Sequence, residues 1–374
     1  MCFALPRIYV LAMGCLLTGM VSAAPSYSYR NLGTLGGGLS SAAAINGAGQ
    51  IVGTSANAAG ADRATLWNAN GIVDLGTTGG VYSRANAINS QNEIVGSSAA
   101  GGGDQLRAAS WSGKQATALP GLGGQASYAM GVNKGGVRVG AAGIVSGAEH
   151  ATRWNGTTVT DLGTLGGFSS YAHAINDGGT IVGAAGTAAE DMHATRWDGN
   201  QAVDLGTLGG NFSWAYAINN AGQTVGYSST AGDLASRATV WNGNVASELF
   251  TGTWNNSMAT SINASGLVAG KAWNEIGGEH AVLWDGTTMV DLNSFLDVAS
   301  VTAGWVLRSA NGINDDGWIV GNAYNTLTGH TNAFLLSAVP EPAMLSLLLA
   351  GFLVIGAGTL LRKDRQRDDM TAGA

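Results

Sequence analysis

The sequence predicts an all-β fold, a seven-bladed β-propeller closed by pairing of its first and last strands. Three observations lead there. One phrase, clearest from Asp161 to Gly199, recurs from about residue 26 to residue 338. Each copy divides into four strand-like segments. The two ends of the repeated region are incomplete in complementary ways.

The period can be counted. The leucine of a D-L-G element falls at Leu32, Leu75, Leu119, Leu162, Leu205, Leu249 and Leu292, in steps of 43 or 44. The asparagine of A-I-N falls at Asn46, Asn89, Asn133, Asn176, Asn219, Asn263 and Asn314. The glycine of I-V-G falls at Gly53, Gly96, Gly140, Gly183, Gly226, Gly270 and Gly321. A tryptophan marks the fourth element at Trp67, Trp111, Trp154, Trp197, Trp241 and Trp284, with Leu336 in its place in the seventh copy. Periods of this size belong to propellers, solenoids or arrays.

Each element reads as a strand, short, rich in β-branched or aromatic residues and bounded by glycine. Between A-I-N and I-V-G the asparagine side chain can bond its own backbone and open a turn. Three residues on stands Gly49, Gly136, Gly179, Gly222, Gly266 or Gly317, with Asn92 in the second copy. Glycine and asparagine share tolerance of positive φ, so this position is expected in the left-handed region. Asn-Gly or Asp-Gly follows Trp154, Trp197, Trp241 and Trp284 and predicts tight hairpins. Four strands with their loops need roughly 43 residues.

The ends decide between closure and stacking. The segment Tyr27–Leu32 is a D-L-G strand with no tryptophan strand before it, and Asn332–Ala338 is a tryptophan-type strand with no D-L-G strand after it. Together they complete one blade and leave no open edge. The alternative, an open β-solenoid, predicts capping repeats instead.

Composition narrows the function. Glycine is abundant at 59 residues and proline scarce at 5, and the glycines sit at fixed turn offsets, which predicts order. Between the terminal segments lie 12 basic and 20 acidic residues. That balance argues against nucleic acid as a partner. Both cysteines, Cys2 and Cys15, lie in the leader, so disulfides and thiolate chemistry are excluded from the rest.

Residues 1–23 read as a secretory signal: Arg7, an apolar run from Ile8 to Val21, then Val21-Ser22-Ala23 for cleavage. A lipoprotein signal ending at Cys15 is the rival. At the other end, Pro340-Glu341-Pro342 leads into the apolar stretch Ala343–Leu361, long enough as a helix to span a bilayer. Arg362, Lys363, Arg365 and Arg367 follow and would hold that end in the cytoplasm.

Residues 339–367 resemble a PEP-CTERM sorting signal: Pro340, Glu341 and Pro342, a hydrophobic helix, then basic residues beginning Arg362 and Lys363. The resemblance implies a Gram-negative envelope protein, transiently anchored in the inner membrane. An exosortase would process it and deliver it to the surface or exopolysaccharide matrix. The repeats, with D-L-G-T-L-G-G and A-I-N-x-x-G-x-I-V-G, resemble the extracellular HAF repeat. His150, His193 and His280 supply that family's histidine; Arg63, Arg107, Arg237 and Asn332 replace it elsewhere. This resemblance implies export and repetition, and names no catalytic residue or cofactor.

Chemistry in the repeats is sparse. His150, His193 and His280 recur in separate repeats at a position that accepts arginine, which a metal site would not. Asn314-Asp315-Asp316-Gly317 and Asn176-Asp177-Gly178-Gly179 lack the spaced ligands and closing glutamate of a calcium loop and read as turns. Asp74, Asp161, Asp204, Glu248 and Asp291 recur at one strand position, which suggests structural bonding. No helix follows the G-T-L-G-G loops, so a phosphate cradle is not expected. Neither a metal nor a cofactor is expected.

The informative asymmetry is aromatic. Five tryptophans lie outside the repeat's own column, and all fall in the last three copies: Trp214, Trp254, Trp273, Trp305 and Trp318. Tryptophan offers a flat amphipathic surface on which a sugar ring can stack. His173 stands in an A-I-N strand two residues after Tyr171, so alternation puts both on one face. The position before A-x-A-I-N varies as Ser41, Arg84, Tyr128, Tyr171, Trp214, Met258 and Ser309. Variable side chains on a repeating scaffold are where recognition is written. The expected function is a surface or matrix protein that binds exopolysaccharide or another envelope component. The alternative is a carbohydrate-active lyase or glycosidase on the same scaffold.

Overall fold

The computed structural model describes residues 26–101, 105–276 and 278–339. The proposed signal, and the segment from Pro340 through Arg362 and Lys363 to the C-terminus, lie outside the described residues. No described helix is long and apolar enough to cross a membrane.

The chain forms a seven-bladed β-propeller. Seven four-stranded sheets follow one another, each built inner to outer from the A-I-N, I-V-G, tryptophan and D-L-G strands. Blade 4 is typical: Gly166–Ile175, Ile181–Thr187, Met192–Asp198 and Gln201–Asp204. Blades 1 to 6 begin at residues 36, 79, 123, 166, 209 and 256. In blade 7 the strands Trp305–Ile313, Ile319–Asn325 and Thr331–Val339 are completed on the outside by Ser26–Asn31. The ends pair as the sequence predicts, and the open solenoid is excluded.

The tryptophan column fills the seams between blades. Trp197 is fully buried and packs with Leu162 and Ala151 of blade 3. Trp67 does the same at the closing seam, against Val320, Ala333 and Leu335 of blade 7. Truncating such a ring to alanine costs about 3–5 kcal/mol.

Every inner strand carries a bulge, as at Ala172/Ala174, where one strand gains a residue over its partner. The bulge explains the invariable glycine of I-V-G. A Cβ on Gly183 would stand 1.9 Å from the Tyr171 carbonyl oxygen, so no larger residue fits. The turn before it is as expected, with positive φ at Gly179 and, in blade 2, at Asn92.

The A-I-N asparagines form the central lock. Each Oδ1 accepts the N–H four residues on, as Asn176 does from Thr180 at 2.9 Å, which shapes its own turn. Each Nδ2 donates to the backbone carbonyl of the equivalent asparagine in the next blade. The chain runs Asn46 to Asn89, Asn133, Asn176, Asn219, Asn263 and Asn314 at 2.9–3.3 Å. Asn314 then donates to Asn46 at 3.2 Å and closes the ring. These residues surround a polar depression of about 260 Å³ on the axis. This side is the asparagine face; the tips of the hairpins joining second and third strands mark the opposite, hairpin face.

Replacing Asn176 by alanine removes one ring bond and the acceptor of its own turn. The expected loss is about 1–3 kcal/mol of stability, read as a lowered denaturant midpoint at unchanged slope.

Candidate functional site

The recurrent charged positions are braces between third and outer strands. His150, His193 and His280 contact Asp161, Asp204 and Asp291 through Nδ1 at 2.8, 2.8 and 2.6 Å. Arg63 and Arg237 do the same to Asp74 and Glu248 at 3.1 and 3.2 Å. In blade 7 Asn332 donates to Asn31 at 3.1 Å. In blade 2, where Ala118 takes the acidic position, Arg107 donates instead to the Gly124 carbonyl. Any donor of suitable length satisfies this job, which is why histidine and arginine interchange. No group of three or more potential metal ligands occurs among the described residues.

A different set of residues breaks the repeat and gathers. Five rings from blades 4 and 5 form one connected cluster. Tyr171 stacks on Trp214, with centroids 5.7 Å apart and planes 24° apart. His173 touches both Trp214 and Tyr216, at 5.6 and 5.0 Å. Tyr216 stacks in turn on Tyr227 at 6.0 Å. Geometry of this kind adds roughly 0.5–1.5 kcal/mol per pair beyond burial.

Local structure places each ring. Tyr171 and Trp214 hold the same position in successive inner strands, so the propeller sets them side by side although they are 43 residues apart. Trp214 also faces Tyr227 across its own sheet, whereas Tyr171 faces the small Ala184. His173 and Tyr216 are the extra residues of the two bulges. In blades 2, 6 and 7 this slot bonds the next blade: Asn86 donates to the Ala129 carbonyl, Thr260 to Ala310 and Asn311 to Ala42. His173 makes no such bond. Its Nε2 is buried without a protein partner, and burial pushes its pKa down to about 4. Burial likewise raises the pKa of Tyr216 and Tyr227. Tyr171 is raised by burial and then by the neighbouring Glu149 carboxylate.

Tyr171 meets Glu149 at the hairpin end of the third strand of blade 3. There the inner strands begin with large exposed apolar side chains, among them Phe168 at 57% exposure and Phe212 at 42%. Glu190 accepts the Phe168 N–H and Asp233 the Asn211 N–H, so carboxylates flank the same arc.

The structure divides the residues singled out in the sequence. Tyr171, His173 and Trp214 come together, and the first two share a face as alternation requires. The other four tryptophans are half-buried elsewhere. Trp254 packs on His280 at 4.9 Å, Trp273 lies beneath the Lys271 ammonium, and Trp305 covers the seam core of blades 6 and 7. Trp318 fills the closing seam against Gly49. Tyr216 and Tyr227 escaped the sequence reading. The signal for Tyr227 is columnar: it is a large aromatic where Thr54, Ser97, Ala141 and Ala184 are small, whereas Tyr216 shares its column with the already aromatic His173.

No family model matches the chain, and no curated protein matches it. Solved structures do match. TolB from Acinetobacter baumannii aligns with a TM-score of 0.42 at 12% identity, over 77% of this chain and 63% of that one. This chain therefore spans less than two thirds of TolB's length. The SapL1 lectin, solved with α-methyl fucoside, gives 0.40 at 16% identity, over 69% and 97%. A variant of the Aleuria aurantia lectin, in complex with Fucα1-6GlcNAc, gives 0.34 at 11% identity, over 83% and 99%.

The buried His173 has a pH signature. Its folded pKa lies below the unfolded value near 6.5, so the unfolded chain takes up the proton first. Its contribution to stability is complete above about pH 6.5 and declines as pH falls toward about 4. His173→Phe should therefore show a shallower stability loss between pH 7 and pH 4 than the parent in urea unfolding. Parallel curves would contradict the assignment.

Proposed function

We propose that this protein is an exported propeller that binds polysaccharide at the cell surface or in the extracellular matrix, without cleaving it. The single observation that carries this reading is the five-ring cluster of Tyr171, His173, Trp214, Tyr216 and Tyr227. The ring lock in all seven blades and the seam tryptophans in six complete the fold without it. It is an addition confined to one arc. Flat aromatic surfaces meet the apolar faces of sugar rings, and the flanking carboxylates and tyrosine hydroxyls suit sugar hydroxyls. Export rests on the leader and on the C-terminal Pro340-Glu341-Pro342 segment with its apolar stretch and basic residues. These are read as passing the chain through the inner membrane to an exosortase.

The His–Asp pairs support binding over turnover. Each is repeated at one structural position and each aspartate also accepts a turn N–H, as Asp161 does from Gly163 and Asp204 from Gly206. Arginine holds the same position in blades 1 and 5, and a guanidinium, always protonated, cannot serve as a base.

Affinity electrophoresis in gels containing bacterial exopolysaccharide tests the reading. The parent protein should be retarded, and Trp214→Ala should lose about tenfold in affinity, the equivalent of ~1.4 kcal/mol. Trp305→Ala, at a packed seam, should keep the parent's retardation while lowering stability. Release of reducing ends or unsaturated products from the polysaccharide would overturn the binding-only reading.

A further inference from the structure

A second opening lies on the opposite arc, over blade 1. It has a volume of about 340 Å³ and is walled by Leu39, Ser41, Thr54, Ala56, Asp62 and Arg84, with Thr331 of blade 7 at its edge. That volume is within the range of small-molecule sites. Its origin is visible by comparing blades. Ser41 and Thr54 face each other across the first two strands of blade 1. The same two positions hold Trp214 and Tyr227 in blade 5, and Met258 and Lys271 in blade 6. Bulk fills the space there; short hydroxyl side chains leave it open here.

The lining defines a ligand. Arg84 from blade 2 reaches back to Asp62 at 3.1 Å, and both side chains remain accessible, at 55% and 36%. Charge in the opening is therefore balanced. The pair offers guanidinium donors and carboxylate acceptors side by side, a match for adjacent hydroxyls. Ser41, Thr54 and Thr331 add hydroxyls. Leu39, 51% exposed, supplies an apolar wall for a ring face. Ser40 takes no part, because its hydroxyl bonds the Gly33 carbonyl and the Ala333 N–H. An acidic sugar would set its carboxylate against Asp62, and an amine would meet Arg84.

We propose that this opening is a second saccharide site, selective for a neutral sugar residue over a uronate or an amino sugar. The ligand class rests on the polysaccharide-binding reading; the location does not. One chain would then hold a polymer at two loci, an aromatic arc on blades 4 and 5 and a hydroxyl-lined opening on blade 1. Two linked contacts raise overall affinity when one polymer spans both.

The test uses the full-length protein and a panel of neutral hexose, deoxyhexose and N-acetylhexosamine oligosaccharides, with uronate and free-amine counterparts. Ser41→Trp installs the side chain that blade 5 carries at this position and should fill the opening. Binding of the neutral sugars should fall roughly tenfold or more, a loss of ~1.4 kcal/mol at tenfold. Asp62→Asn uncovers the arginine charge and should shift preference toward uronates. Thr54→Val removes a hydroxyl at nearly constant volume, and tests the site even where Ser41→Trp fails to fold. Parent-like selectivity in Asp62→Asn and Thr54→Val overturns the proposal. If Trp214→Ala abolishes binding while all three blade 1 variants bind as the parent, the aromatic site stands and this one falls. If no sugar binds the parent at all, both readings fall.

Discussion

The ring of seven asparagines is the constraint from which the rest follows. Each uses its amide in two directions: the oxygen folds its own turn and the nitrogen grips the next blade. Aspartate would keep the first function and lose the second, since a carboxylate cannot donate to a carbonyl. Serine could not reach both. The amide is thus required at each A-I-N position for a reason that only the closed ring explains. A ring also differs from a row. In a stack of repeats the last member's donor goes unmatched. Here Asn314 finds Asn46, and the same closure brings Ser26–Asn31 onto the seventh sheet.

Around that lock, other columns reinforce the seams with less exacting chemistry. A serine within six inner strands accepts an N–H from the preceding blade, as Ser170 does from Ala151 and Ser213 from Ala194. Between blades 6 and 7 the bonding runs the other way: Leu307 holds the serine's place, and Asn293, at the D-L-G glycine position of blade 6, bonds both the N–H and the carbonyl of that leucine. The braces behind the D-L-G turns accept histidine, arginine or asparagine. The more a position depends on one hydrogen-bond geometry, the less its residue varies around the circle. That ordering can be read within a single chain, since the seven blades are seven trials of one problem.

Much of this fold was legible in the sequence because its determinants are local or periodic. The positive-φ glycines, the Asx turns, the seam tryptophans and the complementary ends each follow from spacing and residue type. The bulge was not legible. No residue names it, and only the carbonyl crowding Gly183 reveals why that glycine cannot change. The candidate site was half legible for a related reason. Trp254, Trp273, Trp305 and Trp318 are near one another along the chain and occupy different columns. The propeller therefore places them at different radii and heights. Tyr171 and Trp214 are 43 residues apart and occupy the same column, so it stacks them. In a closed repeat, the useful distance is column identity in neighbouring copies, and sequence proximity misleads.

Column identity also explains how such a scaffold acquires recognition without loss of stability. The lock, the seam serines and the tryptophans use one set of strand faces and ends. The positions of Ser41, Thr54 and their equivalents make no bond that the ring needs, so they can change size blade by blade. Large aromatics there give a stacked surface in blades 4 and 5; small hydroxyls give an opening in blade 1. Glu149 and Asp62 hold the same third-strand position in blades 3 and 1, and each meets the inner-strand side chain 22 residues on. Beside Tyr171 that carboxylate has no cationic partner among the described residues, whereas beside Arg84 it is neutralised. One geometric relation thus yields two electrostatic environments on one face. The difference comes from a single variable residue in each case.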